Sequence, residues 1–73
     1  MPSKYPVCKP NEVIKILQEL GFEFVSQKGS HRKYSDGEHV TIVPMHDEIA
    51  KGTLKSILKQ ADVSIDKFLE LLG

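Results

Sequence analysis

Lys28-Gly29-Ser30-His31-Arg32-Lys33 places one histidine among three permanent cations with no carboxylate between them. Imidazole titrates near neutral pH, so it can take or give a proton there. Lysine and arginine attract phosphate oxygens and can offset the charge that builds on phosphorus in a transition state. Glycine lets a phosphate approach the bare backbone N–H. RNA presents a phosphodiester beside a 2′-hydroxyl, so this residue set suits proton transfer at a ribose-phosphate linkage. The same hexapeptide also reads as a solvated hairpin with an incidental histidine, and the local residues alone leave both readings open.

Other chemistries find less support. The histidines are His31, His39 and His46. In an antiparallel ladder His31 and His39 would lie four residues apart, about 13 Å at strand spacing, too far to share a metal. His46 can approach His31 from beyond the third strand, and it is kept as a possible accessory to His31, but no carboxylate is placed to complete a metal site. No metal and no cofactor is expected. Ser30 and His31 are strand neighbours on opposite faces, so they do not form a nucleophile–base pair. Lys51-Gly52-Thr53 has only a superficial likeness to a phosphate loop and is better placed to start a helix. Cys8, the one cysteine, cannot form an internal disulfide and is read as incidental.

The chain around these residues has 73 residues, 40% of them hydrophobic and 27% charged. That is enough for one small domain and too little for a nucleotide-cofactor domain. Formal net charge is zero, which argues against indiscriminate nucleic-acid binding. The charge is nevertheless blocked. Lys28, Arg32 and Lys33 are followed by Asp36, Glu38, Asp47 and Glu48, and then by Lys51, Lys55 and Lys59. No apolar run reaches membrane-spanning length and no signal peptide is evident, so a cytoplasmic location is expected.

The elements that must position the hexapeptide can be read from periodicity. Val13, Ile16, Leu17 and Leu20 repeat on one face of a helix expected at about 10–20. Pro10 suits its first turn and Gly21 its end. Strands are expected at 22–27, 30–35 and 39–43. Asp36-Gly37 marks the second hairpin. Two registers suit it. The one preferred here pairs Tyr34 with Val40, Arg32 with Ile42 and His31 with Val43. It would turn Tyr34, Val40 and Ile42 towards the helices and leave His31, Lys33, His39 and Thr41 outside. After a loop at 44–52, Leu54, Ile57, Leu58 and Ala61 repeat the helical spacing, and Ser64 caps a last helix at about 65–72. The fold class is α+β, ordered α-β-β-β-α. It has a three-stranded antiparallel sheet, two helices packed on one face and a short extra C-terminal helix. Residues 1–8 are expected as an extended leader and 9–73 as one domain.

At this point the sequence resembles a known family. Lys9-Pro10-x-Glu12-Val13-Ile14-Lys15-x-Leu17, Leu20-Gly21-Phe22, Gln27-Lys28-Gly29-Ser30-His31, Val43-Pro44-x-His46 and Lys51-Gly52-Thr53-Leu54-x-Ser56-Ile57-Leu58-x-Gln60-Ala61 are similar to HicA-type messenger-RNA interferase toxins of toxin–antitoxin pairs. The likeness covers about residues 7–72. Asp62 stands where that family often has glycine. The resemblance implies a fold like a double-stranded-RNA-binding domain and metal-independent RNA cleavage. It implies His31 as the catalytic residue, with Gly29 and Ser30 as motif neighbours. Its expected partners are an mRNA substrate and a HicB-type antitoxin. Lys28, Gly29, Ser30, Arg32 and Lys33 are expected to hold RNA phosphate. The alternative is a non-catalytic RNA-binding module of the same fold.

Overall fold

The computed structural model describes residues 5–73. Helix α1 spans Pro10–Glu19, β1 Glu23–Lys28, β2 His31–Ser35, β3 Val40–Pro44, α2 Lys51–Ala61 and α3 Ile65–Leu72. The sheet is antiparallel in the order β1-β2-β3. This is the expected α+β architecture, with element ends within a residue or two of the sequence reading. The leader expected over residues 1–8 lies partly outside the described residues. Within them, Cys8 is buried and its backbone pairs with Ile49. Burial, with the Glu12 carboxylate nearby, pushes its thiol pKa up.

The helices form where the sequence supplies their ends. Pro10 opens α1, and the Lys9 N–H donates to the Glu12 carboxylate at 2.8 Å. Gly21, at φ +96°, turns the chain out of α1 into β1. Asp62 ends α2 in the left-handed conformation at φ 56°, which glycine adopts without steric cost. The Ser64 hydroxyl accepts the Lys67 N–H at 3.1 Å and opens α3. Helices α1 and α2 pack on β3, and α3 packs on α1. The core joins Val13, Ile16 and Leu17 to Leu54, Ile57, Leu58 and Phe68. Burying each large apolar side chain here contributes about 1.5–3 kcal/mol.

The β2–β3 register differs from the one expected. Tyr34 faces Thr41, Arg32 faces Val43 and His31 faces Pro44. The expected register has a three-residue loop, Asp36-Gly37-Glu38, whereas the turn found has Gly37 and Glu38 alone at its tip, so β3 slips by one residue against β2. Gly37 takes φ +97°, and the Asp36 carboxylate accepts the N–H groups of Glu38 at 2.9 Å and His39 at 2.6 Å. Asp36 thus precedes the tip, with glycine as the first central residue. The slip reverses the faces of β3. Thr41 and Val43, both fully buried, join Tyr34 beneath the helices, while Val40 is exposed. Burial of Thr41 is tolerated because its hydroxyl donates to the Ile57 carbonyl at 3.0 Å. His31 and Lys33 remain on the open face, as expected, whereas His39 lies in the turn.

Candidate functional site

The open face of the sheet carries Ser26 and Lys28 from β1, His31 and Lys33 from β2, and Ile42 from β3. With Gly29 they line a shallow concavity of about 550 Å³. Its cationic wall depends on an irregularity in β1. Phe24 pairs with Tyr34, yet Ser26, not Val25, pairs with Lys33, because the register shifts between Phe24 and Ser26. This extra residue sets Lys28 directly opposite His31. An unbroken ladder from Phe24 would have set Gln27 there. A bulge of this kind re-aims side chains without ending the strand.

Gly29 and Ser30 close the β1–β2 hairpin, with Gly29 at φ +60°. Gln27 steadies the turn from the other face. Its side-chain amide donates to the Gly29 carbonyl at 2.9 Å, and its side-chain oxygen accepts Arg32 Nε–H at 3.1 Å. Arg32 is therefore not gathered with His31. It follows His31 in the strand, points to the opposite face and braces the hairpin. Ser30 contributes its main-chain carbonyl, which accepts the Met45 N–H at 2.6 Å. Of the expected phosphate-holding residues, Lys28, Gly29 and Lys33 line the concavity with His31, whereas Ser30 and Arg32 shape the turn beside it.

His46 comes close. Its ring lies edge-on to that of His31, with centroids 6.2 Å apart and planes 71° apart. Ser26 and Ile42 were not singled out from the sequence. Strand alternation points to both only once the bulge and the true β2–β3 register are known.

Electrostatics separate this site from the opposite end of the hairpin. Among the described residues, no carboxylate forms an ion pair with Lys28 or Lys33. The third histidine, His39, lies against two carboxylates, Asp36 at 3.2 Å and Asp62 at 3.8 Å. Its hydrogen bond to Asp36 raises its pKa above the ordinary imidazole value. The Asp36 carboxyl is pulled down to about 2, chiefly by the His39 and Glu38 backbone N–H groups. Among the described residues, no group of three or more His, Cys, Asp or Glu side chains is placed to hold a metal ion. No helix among them is long and apolar enough to cross a membrane.

An α-β-β-β-α-α domain whose helices cover one sheet face, leaving imidazole and ammonium groups on the other, is consistent with a double-stranded-RNA-binding-like fold. The family model for the HicA toxin of bacterial toxin–antitoxin pairs matches residues 10–63, and the chain belongs to this family. The matched span runs from α1 through the end of α2 and includes both His31 and His46. A search of curated proteins found no match.

Proposed function

We propose that this protein is the toxin of a toxin–antitoxin pair and cleaves messenger RNA without a metal ion, with His31 as general acid or base. The observation that carries the reading is His31 itself, exposed on the open sheet face in a concavity shared with Lys28 and Lys33. The two ammonium groups hold the scissile phosphate and offset the charge that develops on it. Gly29 leaves room for the RNA backbone beside the turn. Ser30 and Arg32 act by fixing the shape of the hairpin. The ribose 2′-oxygen attacks phosphorus, the bond to the 5′-oxygen breaks, and a 2′,3′-cyclic phosphate and a 5′-hydroxyl result. A HicB-type antitoxin would restrain the toxin by covering the open face.

The test is incubation of purified protein with single-stranded RNA in EDTA, with end-group analysis of the fragments. Cyclic phosphate termini are expected. Binding that weakens steeply with salt and yields no fragments would instead favour a non-catalytic RNA-binding module.

A further inference from the structure

We propose that His46 is the second proton-transfer group of this site, working as a pair with His31. The inference rests on the RNA-cleaving reading above. In an in-line displacement at phosphorus, the attacking and leaving oxygens lie on opposite sides. The proton removed from the 2′-hydroxyl and the proton given to the 5′-oxygen are therefore handled at two places, and one imidazole does not reach both.

The fold brings a second imidazole to the correct face by strand alternation. Ile42, Pro44 and His46 are successive alternate positions, and Ile42 lines the concavity. The β2–β3 ladder continues one step past its last strand pair, His31 with Pro44, through the 2.6 Å hydrogen bond from the Met45 N–H to the Ser30 carbonyl. Met45 is turned inward against the core. The next residue, His46, is thereby turned outward at the level of Gly29, diagonal to His31. With centroids 6.2 Å apart and the rings edge-on, one phosphoryl group seated beside the pair on the open face is within reach of both. Both histidines are exposed, and among the described residues neither ring has a hydrogen-bond partner. His39, by contrast, is bonded to Asp36.

The step balances with the groups named. The neutral imidazole takes the 2′-hydroxyl proton as the 2′-oxygen bonds to phosphorus. The protonated imidazole gives its proton to the 5′-oxygen as the P–O5′ bond breaks. No water is consumed, and exchange with solvent resets both rings.

The experiment is the pH dependence of kcat and KM for a defined RNA oligonucleotide, measured for wild type, His46→Ala, His46→Gln and His31→Ala. Wild type should give a bell with one limb from each imidazole. Both His46 variants should lose about 100-fold in kcat with little change in KM, and one limb of the bell should vanish. His46 is exposed, so melting temperatures should be nearly unchanged. A bell with both limbs intact in the His46 variants, or a change confined to KM, would overturn the proposal and reduce His46 to a binding or packing contact. Wild-type cleavage that is lost in His31→Ala keeps the His31 reading standing whatever His46 does. A wild type that cuts no RNA removes both.

Discussion

The β2–β3 hairpin carries a histidine near each end, and the two differ in everything except residue type. At the tip, His39 is bonded to Asp36 and lies beside Asp62 at the end of α2. At the base, His31 is flanked by Lys28 and Lys33, faces His46, and touches no carboxylate among the described residues. The tip histidine is tied by charge into the join between hairpin and helix. The base histidine has no such tie among the described residues and faces solvent beside two lysines. Neighbours, not the imidazole, decide whether a histidine supports structure or does chemistry.

The comparison can be broken most severely at the base. Lys28→Ala and Lys33→Ala should each weaken RNA binding about tenfold and reduce the salt slope of binding by about one, uniformly across RNA sequences. The test is a salt titration of oligonucleotide binding, and an unchanged slope would remove that lysine from the phosphate contacts. Lys67→Ala, on α3, should leave the slope as it is.

Next in size is the layer beneath the sheet. Thr41→Val removes the hydroxyl that meets the Ile57 carbonyl and lies 3.2 Å from the Gln60 side-chain oxygen. It should cost about 1–3 kcal/mol of stability in urea unfolding. Cleavage by the folded fraction should not change, because the open face is untouched. A neutral Thr41→Val would contradict the register that puts Thr41 under α2.

The smallest effect belongs to the tip. Because Asp36 raises the His39 pKa, folding takes up a proton, and that stabilisation is complete below the ordinary value of 6.5 and fades as pH rises through the raised value. Asp36 contributes in the opposite sense. Its share is present above 3.8 and fades as pH falls towards about 2. The wild-type melting temperature should therefore decline slightly as pH climbs past 6.5, and His39→Asn should flatten that decline. Added salt should shrink the effect in wild type, since the groups are close to solvent. An identical slope in His39→Asn would detach His39 from its two carboxylates.

Much of this contrast was legible in the residues, and the missing part has a physical reason. The helices followed from the spacing of Val13, Ile16 and Leu17 and of Leu54, Ile57, Leu58 and Ala61, because one buried face of a helix needs that period. His31 on the open face also followed. The register of β3 did not, because Asp36-Gly37-Glu38 suits a three-residue loop as well as a two-residue tip at Gly37-Glu38, and here the Asp36 carboxylate captures the Glu38 and His39 N–H groups and holds the shorter tip. The β1 bulge carries no glycine or proline to announce it, so the pairing of Lys28 with His31 was hidden. Arg32 shows the limit of counting charge along a chain. It belongs to the basic run, but strand alternation turns it to the other face, where it bonds to Gln27. His46 was foreseeable as a neighbour of His31, but its face is defined only by the true register.

The most direct measurement sets the two ends against each other: RNA cleavage in EDTA by wild type, His31→Ala and His39→Ala, with melting temperatures recorded for all three. The account predicts that His31→Ala loses about 10²–10⁴-fold in rate while staying folded, and that His39→Ala cuts RNA like wild type. Full cleavage by His31→Ala, or loss of cleavage in a folded His39→Ala, would contradict it.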